Sequence, residues 1–146
     1  MNGAAHHGDR LARTPVRVSA EYEGIPGDIA RGRELARGLL ARSRAAHGTE
    51  VSDRAVDVVQ LVVSELLTNA CKYAPGPSLV DLELAEDRVE VSVWDSDPVL
   101  PVPAASDPGR IGRHGLEIVR AVCQTFEVHR EAVGKRTTAV VRLADA

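Results

Sequence analysis

Between Val58 and Ala74 the chain reads V-V-Q-L-V-V-S-E-L-L-T-N-A-C-K-Y-A, an apolar stretch broken by Glu65 and Asn69. Val59, Val63, Leu66, Leu67 and Ala70 recur at three- and four-residue steps, the period of a helix that buries one broad face. Glu65 and Asn69 are four apart, so they stack on one side of that helix. An acid and an amide on an otherwise buried helix each need a compensating partner or task. A carboxylate there can steer a water or hydroxyl, and an amide oxygen can hold a hard metal ion. The helix starts near Ser52, with Asp53 and Asp57 in its early turns where acids suit the dipole, and Pro75-Gly76-Pro77 stops it.

The rest of the chain arranges itself around this segment. Val16, Val18 and Ala20 alternate with polar residues, the period of a strand with one buried face. Gly24 to Gly27 is a turn, with Asp28 as expected N-cap of a helix over Ile29–Ala46 that His47-Gly48-Thr49 closes. Gly32 and Gly38 weaken that helix. Leu79–Leu84 and Val89–Val93 alternate around Glu86-Asp87-Arg88 and predict a hairpin. From Asp95 to His114 the periodicity vanishes among prolines and glycines, as expected of a lid or binding loop. A third helix is expected from Gly115 to Cys123. A last hairpin then runs over Phe126–Arg130 and Thr137–Leu143, turning through Ala132 to Lys135. The order β-α-α-β-β-lid-α-β-β predicts an α+β fold: a two-layer sandwich with a mixed, mostly antiparallel sheet and helices on one face. Residues 1–14 read as a disordered leader and 15–144 as a single domain.

Composition excludes several function classes. A net charge of −3 and 3% aromatic residues supply neither a phosphate-seeking surface nor a base-stacking platform, so no direct nucleic acid partner is expected. No apolar run reaches membrane-spanning length, no secretory signal is present, and a cytoplasmic location is expected. Cys71 and Cys123 lie far apart without metal-ligand spacing and read as small core residues of a reducing compartment.

Three features fall into order along the chain. Glu65-x-x-x-Asn69 sits on the second helix, Asp95 ends a strand, and Gly112-Arg113-His114-Gly115-Leu116 opens a helix after the lid. Glycines let backbone N–H groups approach phosphate oxygens, and a helix N-terminus favours negative charge. A strand-end aspartate can accept from an exocyclic amine. Together these describe a nucleotide pocket beneath a lid.

On these residues the chain resembles the Bergerat-fold (GHKL) ATPases, and within them the small anti-sigma-factor serine/threonine kinases. S-E-L-L-T-N-A-C-K-Y-A is similar to that superfamily's N-box, Trp94-Asp95-Ser96-Asp97-Pro98 stands where its first glycine box belongs, and G-R-H-G-L-E-I-V is similar to its second. The resemblance covers Val16 to Leu143. It implies ATP and Mg²⁺ as cofactors, Glu65 as general base and Asn69 as Mg²⁺ ligand. It places Lys72 near the phosphates, Tyr73 near base or ribose, and Asp95 on the adenine amino group. It further implies that Gly112, His114, Gly115 and Leu116 contact phosphates mainly through backbone, and that Thr138 supports adenine. One position departs from the pattern: the glycine expected two residues after the aspartate is Asp97, which tolerates that turn less well.

The resemblance implies a regulator that phosphorylates a serine or threonine of an anti-sigma-factor antagonist, sequesters a sigma factor, or does both, and a possible homodimer. Two alternatives stand beside it: a catalytically weak nucleotide-dependent interaction module, and an orphan histidine-kinase-like ATPase domain. The arginines of the first helix (Arg31, Arg33, Arg37, Arg42 and Arg44) form a candidate docking face for an acidic partner.

Overall fold

A computed structural model describes residues 16–73, 76–96 and 111–144, with the backbone alone described at 47, 72, 73 and 111–116. The expected leader and the lid between Ser96 and Ile111, Asp97 included, lie outside the described residues. The elements are β1 (Val16–Tyr22), α1 (Gly27–His47), α2 (Asp53–Tyr73), β2 (Ser78–Ala85), β3 (Arg88–Asp95), α3 (Ile111–Val122), β4 (Thr125–Arg130) and β5 (Lys135–Arg142). No described helix is long and apolar enough to cross a membrane.

The α+β architecture is as expected. Five strands form one sheet in the order β1-β2-β3-β5-β4. Every pairing is antiparallel, so the mixed character expected of the sheet is absent among the described strands. The reason is connectivity: β2–β3 and β4–β5 are hairpins, and the two longer excursions through helices return a strand antiparallel to its neighbour.

Alternation decides which residues build the core. Val80, Leu82 and Leu84 of β2, Val89, Val91 and Val93 of β3, and Ala139 and Val141 of β5 share one face and are buried. They meet the buried stripe of α2, made by Val59, Val62, Val63, Leu66, Leu67 and Ala70. Burying one such large apolar side chain contributes about 1.5–3 kcal/mol, so this contact is the main source of cohesion. The opposite sheet face carries Arg17, Glu90 and Arg142, all exposed.

The ends of the helices are chemically specified. Ser52 caps α2: its Oγ accepts from the Ala55 N–H at 3.0 Å, and its carbonyl accepts from the Val56 N–H at 3.1 Å. Asp28 differs from expectation. The N-cap of α1 is Pro26, already at φ −58°, and Asp28 lies inside the first turn. Its carboxylate reaches back instead to the N–H groups of Gly24 (2.8 Å) and Ile25 (2.9 Å), which the turn leaves without backbone partners. Gly48, in the left-handed region at φ +63°, ends α1 as expected. β5 begins earlier than its valine pattern implied: Lys135 and Arg136 are strand residues, held by pairing with Arg130 and His129 on β4 and with Asp95 and Trp94 on β3.

Gly32 and Gly38 turn out to do different things. A Cβ on Gly32 would sit 2.4 Å from Leu67 Cδ1 and 3.0 Å from Val63 Cγ1, both on fully buried side chains of α2. Gly32 therefore allows the two helices to approach closely, and its poor helix propensity is offset by packing. A Cβ on Gly38 would meet only the flexible end of Arg42, at 3.1 Å. Gly38→Ala should raise stability by about 0.5–1 kcal/mol through helix propensity. Gly32→Ala should lower it by about 1–3 kcal/mol through overpacking. Urea denaturation of both variants checks this, and a stabilised Gly32→Ala would refute the close-packing explanation.

Candidate nucleotide site

The polar groups of interest gather at one end of the sheet, around the C-terminal half of α2. Glu65 and Asn69 are half-buried, and neither side chain makes a hydrogen bond or ion pair among the described residues. They lie seven residues beyond Val58 and Val62, two helical turns along, and so on the same side of α2. Val58 shares a cavity wall with Val122 and Cys123, which shows that this side of α2 is the one turned toward α3. A carboxylate and an amide without a partner among the described residues, one turn apart, are thus presented at the α2–α3 boundary.

Asp95 closes β3 on the helix-covered face, in phase with Val91 and Val93. Its carboxylate is engaged with Lys135, the facing residue on β5: Nζ lies 3.1 Å from Oδ1 and 3.1 Å from Oδ2. Both side chains are buried, at 9% exposure for Lys135 and 6% for Asp95. The backbone of Asp95 is equally confined. Gly134 holds φ +79°, and a Cβ there would fall 1.7 Å from the Asp95 carbonyl oxygen. Only glycine suits that position, for its dihedral and for its size.

Thr138 is not brought to Asp95. It pairs with Ser92, and their hydroxyls are hydrogen-bonded at 3.1 Å on the opposite face of the sheet. Thr137, one residue earlier, pairs with Val93 and is buried on the Asp95 face. A one-residue step along a strand exchanges faces, so the adjacent pair of threonines was ambiguous by motif. The alternation of Ala139 and Val141 marks Thr137 as the inward one. The same phase carries Lys135 inward, although the sequence spacing puts it in the turn between the last two strands.

The helix α3 begins at Ile111, so Gly112, His114 and Gly115 lie in or just beyond its first turn rather than before it. The first N–H groups of a helix lack intrahelical partners, which leaves the Gly112 amide available, whereas the amides of Gly115 and Leu116 enter the helical ladder. The side chains of Lys72, Tyr73, His114 and Leu116 lie outside the described residues. No cluster of three or more His, Cys, Asp or Glu occurs among the described residues. The available hard donors, the Asn69 amide oxygen and the Glu65 carboxylate, fit a metal such as Mg²⁺ that takes few protein ligands and shares phosphate oxygens.

The sequence matches the histidine kinase-like ATPase domain over residues 25–141. The chain belongs to that family. Comparison with curated proteins gives no match. Among solved structures, the RsbU and RsbW domains of Rv1364c from Mycobacterium tuberculosis are similar at 19% identity with a TM-score of 0.65, over 88% of this chain and 32% of that one. The histidine kinase domain of the Erythrobacter litoralis EL346 blue-light activated histidine kinase aligns at 18% identity with a TM-score of 0.48, over 81% and 60%. The chain thus spans about a third of the first structure and three-fifths of the second. For this family member, the end of α2, the end of β3 and the start of α3 form the candidate nucleotide site of a kinase-like, ATP-binding domain.

A cavity of about 270 Å³ lies at the other end of α2, lined by Ser52, Arg54, Val58, Cys123 and Gln124 among others. From Ser52 to Asn69 is roughly 26 Å along the helix at its rise per residue, so this cavity is separate from the candidate site. Burial pushes the Cys123 thiol there up to about 11. Burial, then the Asp28 carboxylate, also raises that of Cys71, whose Sγ donates to the Ile25 carbonyl at 3.6 Å.

The turn beside the site depends on Asp28. A Cβ on Gly24 would fall 2.4 Å from the Gly76 carbonyl oxygen, so this turn is pressed against the chain leaving α2. Burial alone would raise the Asp28 carboxyl, but the Gly24 and Ile25 N–H groups and the Arg31 guanidinium outweigh it and hold it below the usual carboxylate range. A depressed carboxyl contributes stability above its unfolded pKa and loses it as pH falls through the folded one. Asp28→Asn should therefore cost about 1–2 kcal/mol at pH 7, with the gap to the parent closing below about pH 4. Denaturation midpoints between pH 2 and 7 test this, and a constant gap would remove the charge from the explanation.

Proposed function

We propose that this domain is an ATP-dependent protein serine/threonine kinase of the anti-sigma regulatory type, with a serine or threonine of an antagonist protein as acceptor and a sigma factor as a second partner. The observation that carries the reading is the half-buried Glu65 and Asn69 pair, without a side-chain partner among the described residues, on the side of α2 that faces α3. Family membership, the N-box-like sequence and the fold likeness to a structure with an RsbW domain support it.

In this reading the acceptor hydroxyl attacks the γ-phosphorus of ATP. A new O–P bond forms, the bond to the β–γ bridging oxygen breaks, ADP leaves, and the hydroxyl proton passes to the Glu65 carboxylate. Such a reaction asks the protein mainly for alignment and charge stabilisation. Glu65 orients the hydroxyl and accepts its proton. The first amides of α3, that of Gly112 among them, donate to phosphate oxygens. Asn69 would hold Mg²⁺ through its amide oxygen, and the ion would supply charge neutralisation to the phosphates.

A second reading is a nucleotide-dependent binding module without transfer. The engagement of Asp95 by Lys135 favours it, because the expected adenine acceptor already has a strong partner.

Two variants separate these readings. Glu65→Gln should retain ATP affinity while transfer to an antagonist protein falls by about a hundredfold or more, the usual share of a general base. Labelled-ATP assays that show equal transfer by both forms would remove Glu65 from that role, and no transfer by the parent would favour the binding module. Asn69→Ala should weaken Mg²⁺-dependent ATP binding by roughly tenfold or more, as loss of an interaction with a charged group does. Calorimetry with and without Mg²⁺ checks this; undiminished Mg·ATP affinity would move the metal elsewhere.

A further inference from the structure

The cavity at the start of α2 exists because the layers end unevenly there. β4 begins at Thr125 and its pairing with β5 reaches only Val140, so Val141 and Arg142 of β5 have no β4 partner. α3 stops at Val122, and Cys123 and Gln124 lead from it into β4. The gap of about 270 Å³ left between these ends and the first turns of α2 is close to the lower limit of ligand-pocket volumes, about 300 Å³.

Its lining is chemically one-sided. Val58, Val122 and Val141 supply apolar surface, Arg54, Arg142 and Gln124 supply polar side chains, and no acid takes part among the described residues. The whole chain carries 21 Asp and Glu against 18 Lys and Arg, so two arginines without an acid run against its average. Arg54, Arg142 and Gln124 are exposed, and none makes a side-chain hydrogen bond or ion pair among the described residues. The acids nearest in sequence have other cations beside them: Asp53 Oδ1 lies 3.4 Å from Arg44 Nη2, and Asp87 Oδ1 lies 4.0 Å from Arg88 Nε. Arg142 also stands directly opposite Arg88 across β5 and β3, where like charges repel and a counter-anion relieves them.

A ligand suited to such a lining carries an anionic group and a short apolar body. A guanidinium meets a carboxylate through paired hydrogen bonds, and a glutamine amide adds a further donor. The apolar body gains by leaving water for the valines. We propose that this cavity binds a small organic carboxylate with a short aliphatic or aromatic body, its charge met by Arg54 and Arg142 and its body by Val58, Val122 and Val141. The site is separate from the nucleotide site, and its failure leaves that reading untouched.

The test uses the full chain and three probes of equal length, hexanoate, hexanol and hexylammonium, by calorimetry. Hexanoate should bind saturably and about tenfold or more tighter than hexanol, and hexylammonium should not bind. Arg54→Gln, at an exposed position, should weaken hexanoate about tenfold and leave hexanol unchanged. Location is read separately through Cys123, which lines the cavity, with Cys71, which does not, as the control. Saturating hexanoate should slow alkylation of Cys123 by N-ethylmaleimide at mildly alkaline pH about threefold or more, and leave Cys71 unaffected. The proposal is overturned by the absence of saturable hexanoate binding, by equal affinity for hexanoate and hexanol, by unchanged hexanoate affinity in Arg54→Gln, or by binding that leaves Cys123 unprotected.

Discussion

Everything in this domain leans on α2 lying flat across the sheet. Its stripe from Val59 to Ala70 is buried against β3 and β5 on one side and against α1 on another, and Gly32 lets α1 come close enough to seal that second contact. A helix held this firmly can carry polar residues on its remaining side without losing its place. Glu65 and Asn69 exploit that: their backbone positions are set by Leu66 and Ala70, one residue away in each case. Side chains on a rigid element are placed more accurately than side chains on a loop, which is what alignment-dependent chemistry requires.

Opposite α2, the sheet contributes through its register. Inward positions of β3 and β5 run from wholly apolar at the middle to charged at one end, where Asp95 faces Lys135. The same face is therefore an apolar core over most of its length and charged at its margin. Gly24 and Gly134 allow two turns to close in on that margin, one against the exit of α2 and the other against the exit of β3. The candidate site is less a pocket cut into the fold than the place where the layers stop being hydrophobic.

Much of this was legible in the sequence. Period-two and helical spacing located all eight elements, and Glu65 and Asn69 could be singled out as unusual before any fold was known. The features that local spacing leaves open share a physical cause. The antiparallel return of every strand and the strand character of Lys135 depend on which strand lies beside which, and local spacing does not encode that, whereas the inward phase of Thr137 follows from its alternation with Ala139 and Val141. Asp28 was recognised as a helix-start acid, but whether it served the helix or the turn depended on Pro26 having already taken the cap. The Asp95–Lys135 pair is the sharpest case: the two residues are forty apart and meet only because β5 inserts between β3 and β4.

The two cysteines carry a consequence for how the domain weathers its chemical surroundings. The thiolate is the species that oxidants and electrophiles attack. With the Cys123 thiol raised to about 11, about one molecule in ten thousand carries that thiolate at pH 7. Cys71 is shifted in the same direction and its hydrogen is directed at a backbone carbonyl. Neither thiol is thus activated as a nucleophile, and burial, not a partner charge, is the first cause at both positions.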